Sequence, residues 1–149
     1  LGMGVQMQNR QSLGSDLMQT NWGARANDIP PVKTVYQSGL PIAGGTDGTT
    51  SSSYRPFISM HWLISGKNWR GDIVRPTEKL SREEALKMYT QGSAWFTWEE
   101  NKKGTIAKNM LADFLILDKD YFTVPEDEIR WLKPVTTVVG GKVVYQVKE

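Results

Sequence analysis

Cysteine is absent from this 149-residue sequence, and His61 is its single histidine. Without cysteine the chain forms no disulfide bond and no thiolate metal site. One imidazole also falls short of a catalytic zinc site, which takes several histidines or a mixed ligand set. Because disulfide bonds belong to oxidising compartments, the lack of cysteine leads us to expect a cytoplasmic protein.

Long apolar runs and an excess of one charge are lacking as well. No apolar stretch approaches the roughly 18 residues of a membrane span. The 18 basic and 16 acidic residues are interspersed, and the nearest approach to a basic cluster, Lys102-Lys103, is typical of a solvated turn. We therefore expect no nucleic-acid partner and no membrane partner.

The composition is that of a folded protein, and the first residues suggest a piece of a longer one. Hydrophobic residues make up 39% of the chain and six are Trp, which predicts a buried core. The first residues have neither the basic start nor the apolar stretch of a signal peptide, and position 1 is Leu. We expect a piece of a larger polypeptide.

The first half predicts an α/β unit. Residues 1–9 alternate apolar and polar side chains, which indicates a strand, whereas residues 10–27 have no clear period and are predicted to form a long connection. Asp28 is expected to cap a helix whose first turn tolerates two prolines, with Gly39 just beyond its end. Residues 40–47 then form a second strand, parallel to the first.

The second half predicts more helix and then strands. Pro56 begins an apolar helix, and Ser81 with Glu84 forms a capping box for another. The Trp95–Trp98 pair at the end of that helix is interpreted as core, packed against a β-rich tail. Residues 105–106, 112–117 and 135–147 are predicted to be β-rich, with a hairpin turn at Gly140-Gly141.

Asp47 is the residue that most clearly suggests chemistry. It ends a buried strand and enters a polar loop, and active sites of parallel α/β folds gather where strands end. A carboxylate there serves as a general base or a metal ligand. The alternative is an Asp that caps the following turn. A phosphate-binding loop at Gly44, Gly45 and Gly48 is disfavoured, because the Gly-Lys-Ser/Thr ending is missing.

Gln8 and Arg25 are further candidates for substrate contact. Each lies at a strand end or in the long connection, and each is equally well interpreted as a solvated polar residue. His61 sits in an apolar helix, where a lone histidine is more often packed in the core than catalytic.

The order of these elements resembles the amidohydrolase superfamily, in particular its YtcJ-like branch, amidohydrolase family 3. Strand 2–8 resembles the seventh barrel strand of that branch, and strand 40–47, with its final Thr-Asp, resembles the eighth. The return from the barrel to the β-sandwich and the closing hairpin are similar too. One departure is Asn109, which stands where the family has Gly and which tolerates positive φ. The segments that carry the resemblance are 2–8, 40–47, 80–90, 103–106, 111–118 and 136–145.

The resemblance implies an α/β fold: the C-terminal part of a (β/α)8 barrel plus the closing strands of a small β-sandwich. Residues 1–103 would supply the last two barrel units and the following helix, and residues 104–149 the sandwich strands. A complete barrel takes about 250 residues. The implied partner is therefore the missing N-terminal part of the barrel, or another copy of the chain.

The same resemblance implies the chemistry. A divalent metal, expected to be zinc, would activate water for hydrolysis of amide, carbamate or cyclic imide C–N bonds in a small-molecule substrate. Asp47 would be a metal ligand or a metal-proximal general base. The other ligands would lie upstream of this chain, so the piece alone is expected to be inactive and to bind no metal. The alternative is a stand-alone, non-enzymatic α/β module that binds a ligand or partner through its Trp-rich surface.

Overall fold

The computed structural model describes residues 2–49 and 52–148. Their strands form a two-stranded parallel sheet and a three-stranded antiparallel sheet, with helices between and around them. In chain order the elements are β1 (Val5–Gln8), α1 (Gln11–Trp22), a 3-10 helix (Gly23–Asp28), α2 (Val32–Gln37), β2 (Ile42–Gly45), α3 (Pro56–Ser65), α4 (Arg82–Lys87), a π-turn (Met88–Gly92), α5 (Ser93–Phe96), β3 (Phe114–Leu117), a second 3-10 helix (Glu126–Trp131), β4 (Pro134–Val139) and β5 (Lys142–Gln146).

β1 and β2 pair in parallel, as predicted, with Val5 opposite Ile42 and Gln8 opposite Gly45. The apolar side chains of β1 are half-buried, whereas its glutamines are exposed. The helical side of this sheet is covered by a single core in which distant elements meet. That core includes Val32, Ile42, Phe57, Met60, Leu63, Met88 and Ile129. Strand β1 therefore has one packed face and one exposed face of glutamines, although Ala43, which pairs with Gln6, is itself buried.

The long connection predicted for residues 10–27 is wrong, since these residues form α1 and the first 3-10 helix. In α1 the buried residues are Ser12 and Ser15, while Leu13 and Leu17 are 51% and 67% exposed. The packed face of α1 carries small polar side chains, and its leucines point outward. A search for an apolar stripe therefore finds no helix here.

The predicted N-cap Asp28 is also wrong. Helix α2 begins at Val32 after Pro31, and Asp28 ends the preceding 3-10 helix. Its Oδ1 accepts a hydrogen bond from Thr77 Oγ1 at 2.7 Å, so the carboxylate ties the 3-10 helix to a later loop. Gly39 follows α2 with φ +77°, as expected of a helix end.

The capping box is present as predicted: Ser81 Oγ accepts from Glu84 N, and Glu84 Oε2 accepts from Ser81 N. The helix it begins runs through the π-turn to Phe96. The predicted packing of both terminal tryptophans in the core is wrong. Trp98 is 79% exposed, because the helix has ended and its φ of +59° turns the side chain outward. Trp95 stacks on Trp98, with ring centroids 6.0 Å apart.

The antiparallel sheet has the order β3-β4-β5. Gly140 and Gly141 form its predicted two-residue turn, with φ +57° and +75°, values that glycine adopts without strain. Residues 105–106, predicted to be β-rich, lie outside every described strand. Apolar side chains of β3 and β5 remain exposed: Phe114, Leu115, Ile116, Val143, Val144 and Tyr145.

In the part of the chain that the structure describes, no helix has the length and apolar character to cross a membrane.

Candidate active site

The C-terminal ends of β1 and β2 meet at one edge of the parallel sheet, because the strands run in the same direction. Asp47 lies two residues beyond the end of β2 and is half-buried. Its φ of +50° is unusual for a residue other than glycine and turns the chain sharply out of the strand direction. Gln8, at the end of β1, is exposed at the same edge. Two of the three predicted site residues are thus brought to one place.

The third predicted residue is placed elsewhere. Arg25 lies in the 3-10 helix after α1 and is exposed. Its side chain makes no hydrogen bond or ion pair with another residue that the structure describes. The structure therefore does not join Arg25 to Asp47.

Asn9 was missed by the sequence reasoning. It follows Gln8 at the end of β1, is 2% exposed, and accepts a hydrogen bond from Ser52 Oγ at 3.0 Å. Ser52 lies in the loop after Asp47, and its carbonyl accepts from Thr49 N at 3.1 Å. Asn9 therefore fixes the loop that begins at Asp47 onto the end of the neighbouring strand. The sequence signal was present: two polar residues directly follow an alternating strand.

The end of β2 is held from the helical side by Tyr89 in the π-turn. Its hydroxyl donates to the Gly45 carbonyl at 3.3 Å, and its ring covers Gly44 so closely that a Cβ there would lie 2.2 Å from ring atom Cε2. Gly92 is pressed against β2 as well, since a Cβ on it would lie 2.1 Å from the Ile42 carbonyl oxygen. Burial raises the pKa of Tyr89 to about 12, so its hydroxyl stays a proton donor at neutral pH.

His61 belongs to a separate polar cluster. It is buried in α3, as expected, with Nε2 3.1 Å from Asp127 Oδ1 in the second 3-10 helix. Lys67 Nζ donates to both carboxylate oxygens of Asp127, at 2.7 and 2.8 Å. Hydrogen bonds from Lys67 and His61 lower the pKa of Asp127 to about 2, whereas burial lowers the pKa of His61. This cluster links two elements and lies apart from the strand ends.

A metal site is not completed by these residues. Within residues 2–49 and 52–148, no group of three or more His, Cys, Asp or Glu side chains is close enough to hold an ion. Asp47 offers one carboxylate at the strand-end edge. The described residues at this edge are the Asp47 carboxylate and the side-chain amides of Gln8 and Asn9. The carboxylate can act as a proton acceptor or as a single metal ligand.

Comparison with known proteins decides the family. The amidohydrolase family model matches residues 3–145 of this chain. The chain belongs to the amidohydrolase family. The resemblance inferred from the order of the sequence elements is therefore confirmed.

Two curated relatives of this amidohydrolase chain are much longer than it is. It is 30% identical over 137 residues to a putative amidohydrolase, YtcJ, of Bacillus subtilis (strain 168), an alignment covering 90% of this chain and 24% of the relative. It is 27% identical over 116 residues to the N-substituted formamide deformylase of Arthrobacter pascens, covering 78% and 21%. The chain thus spans about a quarter of the length of these relatives.

Solved structures agree with this membership. An uncharacterized metal-dependent hydrolase from Pyrococcus furiosus superimposes with a TM-score of 0.63 and 26% identity, covering 82% of this chain and 25% of that one. An amidohydrolase from Thermotoga maritima MSB8 superimposes with a TM-score of 0.58 at 12% identity, covering 97% and 44%, and shows the fold alone. The chain is a mixed α/β protein of the kind found in metal-dependent hydrolases.

Proposed function

We propose that this chain is the C-terminal part of a metal-dependent amidohydrolase that hydrolyses C–N bonds of amides, carbamates or cyclic imides. Residues 1–103 would supply the last two units of a (β/α)8 barrel and the following helix, and residues 104–149 the closing strands of a β-sandwich. The observation that carries the proposal is the place of Asp47, just beyond a strand that pairs in parallel with its neighbour.

The two faces of the parallel pair support a barrel. Val5 and Met7 are half-buried, and Met7 packs against the helix-covered core, whereas Gln6 and Gln8 are exposed on the opposite face. In a closed barrel alternate residues of each strand point inward, and catalytic groups sit where the strands end. The glutamine face is the face that would point inward, with Gln8 nearest to Asp47 and available to contact a small-molecule substrate. Arg25 stays a weaker candidate for such a contact.

The Asp47 carboxylate would accept a proton from the water that attacks the carbonyl carbon. It would then deliver that proton to the leaving nitrogen as the C–N bond breaks, which leaves the carboxylate ionised again. A divalent metal, expected to be zinc, would when bound make that water acidic enough to attack at neutral pH. Since the described residues complete no metal site, the remaining ligands would have to come from other parts of a longer polypeptide.

Exposed apolar surface supports a missing partner. A cavity of about 1070 Å³ opens between the α4–α5 region and β3, with Leu86, Ile106 and Leu115 among its lining residues. The apolar side chains of β3 and β5 are exposed beside it. We propose that the upstream part of a longer polypeptide covers these surfaces, with self-association of this chain as the alternative. We call that longer polypeptide the complete protein.

The names of the relatives guide the choice of test substrates. One structural neighbour is described as a metal-dependent hydrolase, and one curated relative acts, by its name, on N-substituted formamides. The panel for this protein therefore includes an N-substituted formamide, a simple carbamate and a cyclic imide such as succinimide. Release of amine or acid is followed by chromatography.

The decisive experiment is Asp47→Asn in the complete protein. We expect hydrolysis to fall about 10²–10⁴-fold, the usual contribution of a general base, with an unchanged melting temperature. The matched control is Asp16→Asn, the same change at an exposed residue that pairs with Arg70 at 2.7 Å, and it should leave activity unaltered. If Asp47→Asn hydrolysed the panel as fast as this control, Asp47 would not be the general base. If the unaltered complete protein hydrolysed nothing in the panel, the stand-alone binding module would take the place of the enzymatic proposal.

A further inference from the structure

Unpaired polar atoms converge on one small cavity away from the strand ends. Arg75 is 1% exposed, and its Nε and Nη2 have no hydrogen-bond partner among the described residues. The same holds for Trp62 Nε1 and Gln11 Oε1. All three residues line a cavity of about 10 Å³ enclosed by parts of α1, the first 3-10 helix, α3 and the segment at Val74 and Arg75.

Contacts within the protein satisfy only part of the hydrogen-bonding capacity of the Arg75 guanidinium. Its Cζ lies 3.9 Å from the centroid of the Trp62 ring, and Nη1 donates to the Pro30 carbonyl at 3.3 Å. The nearby carboxylate of Glu78 already accepts from Thr34 N and Oγ1, at 3.0 and 2.7 Å. Burial lowers the pKa of Arg75 to about 10, so the side chain stays charged at neutral pH. Because a buried donor without a hydrogen-bond partner is unfavourable, we expect the unpaired nitrogens of Arg75 to have a further partner.

We propose that this cavity binds one ordered water molecule that bridges Arg75, Trp62 and Gln11. The volume is close to the roughly 10–15 Å³ that one water requires, and it is too small for a larger anion. The chemistry agrees, because the cavity presents N–H donors from Arg75 and Trp62 together with an acceptor oxygen from Gln11. Water both accepts and donates, whereas a halide only accepts and would leave Gln11 Oε1 unpaired.

The bridge joins elements that are far apart in sequence. Gln11 begins α1, three residues after the end of β1, whereas Trp62 lies in the middle of α3 and Arg75 in the loop beyond it. The water would therefore help to fix α1 against α3.

The test is a crystal structure of the complete protein at a resolution that shows ordered water, with a second crystal soaked in bromide. We expect one density peak about 2.7–3.2 Å from Gln11 Oε1 and from a nitrogen of Arg75, with no bromide anomalous signal there. Gln11→Met should markedly lower the occupancy of the peak. An empty cavity, a bromide signal, or a peak that Gln11→Met leaves unchanged would each overturn the proposal.

A different observation carries a second inference, which rests on the proposed function. Tyr89 covers Gly44 and donates to Gly45, and these two glycines immediately precede Thr46 and Asp47. We infer that Tyr89 is a positioning residue. It fixes how closely the end of β2 packs against the helices, and thereby the place of the Asp47 carboxylate. It acts from the helical side of the sheet, so it does not line the face that the substrate would meet.

Gly44→Ala in the complete protein tests this inference, because the new methyl group would displace the Tyr89 ring or the strand. We expect kcat to fall on the order of 10²-fold, as for a catalytic group displaced by about 1 Å, with little change in KM. Tyr89→Leu alone removes the hydroxyl and the ring that hold the end of β2 and should lower kcat as well. The double variant Gly44→Ala, Tyr89→Leu removes the clash but also the support, so it should stay below the unaltered kcat. Gly14→Ala is the control, because a Cβ at Gly14 meets nothing within 4 Å.

Crystal structures of the same variants keep this inference separate from the proposed function. Asp47 should be displaced in Gly44→Ala and in Tyr89→Leu, whether or not Asp47 is the general base. If Asp47→Asn proved silent, Asp47 would not be the general base, while the displacement would still report on Tyr89. An unmoved Asp47 in Gly44→Ala, or an Asp47 that keeps its place in Tyr89→Leu, would refute the positioning role.

Discussion

Arg82 and Tyr121 hold each other through reciprocal contacts to the main chain. Arg82 Nη1 donates to the Tyr121 carbonyl at 2.6 Å, and the Tyr121 hydroxyl donates to the Arg82 carbonyl at 2.7 Å. Arg82 Nη2 also donates to the Val124 carbonyl at 2.5 Å. Since Arg82 is the first residue of α4 and Tyr121 follows β3, this pair joins the helical layer to the segment between β3 and β4.

Replacing Arg82 should therefore loosen that junction. We expect Arg82→Met to lower the free energy of unfolding by about 1–3 kcal/mol, because two carbonyls lose a charged donor in a partly buried place. Urea denaturation measures the change. Arg70→Met is the matched control: it removes an exposed ion pair with Asp16 and should cost about 1 kcal/mol or less. Equal losses for the two variants would contradict the role of the junction.

Acid should destabilise the protein in two steps. The folded pKa of His61 lies below 6.5 because of burial, so its contribution to stability is complete above pH 6.5 and is lost as the pH falls below it. The pKa of Asp127 is lowered from 3.8 to about 2 by Lys67 and His61, so its contribution is lost between those values. Denaturation midpoints measured from pH 8 to pH 2 follow both steps.

The variant His61→Gln separates these steps. It keeps a polar side chain without a group that titrates near neutrality, so the loss between pH 7 and pH 5 should become shallower than in the unaltered protein. The fall below pH 4 should remain. Parallel curves for the two proteins between pH 7 and pH 5 would show that His61 contributes nothing to the pH dependence.

Two glycine-to-alanine changes should act in opposite directions. Gly14 lies in α1 with open space around it, and alanine there should raise the free energy of unfolding by about 0.5–1 kcal/mol. Gly92 lies in the π-turn, where a Cβ would come within 2.1 Å of the Ile42 carbonyl oxygen, and alanine should lower it by about 1–3 kcal/mol. Thermal melts compare the two, and the same sign for both would refute the close contact of the π-turn with β2.

Metal content should depend on sequence outside this chain. We expect the complete protein to retain a divalent ion through dialysis and to lose hydrolysis when a chelator removes that ion. This chain expressed alone should retain none, because its described residues complete no metal site. Elemental analysis by mass spectrometry measures both. A stoichiometric ion held tightly by the isolated chain would contradict the expectation that the ligands lie elsewhere.

Features that depend on neighbouring residues were predictable. The capping box of Ser81 and Glu84, the turn at Gly140-Gly141 and the alternating strand β1 all follow from short patterns. Each is decided within a few residues by hydrogen bonds or allowed dihedral angles, or by the alternation of side chains along a strand. The place of Asp47 after a strand belongs to this group.

Features that depend on remote partners were not predictable. Helix α1 buries Ser12 and Ser15 and exposes its leucines, so its own pattern conceals it. Asn9 is informative only because Ser52 reaches it across the edge of the sheet.

By itself, the sequence determined the capping box, the hairpin turn and the alternating strand β1, because turns, caps and alternation are interactions between near neighbours. The order of the recognisable segments was enough to show the family. The tertiary structure alone decided that Arg75 is buried on Trp62, that Trp98 is exposed, and that Tyr89 supports the end of β2. Each of these depends on which distant segment removes water from a side chain, and that is settled only when the chain packs.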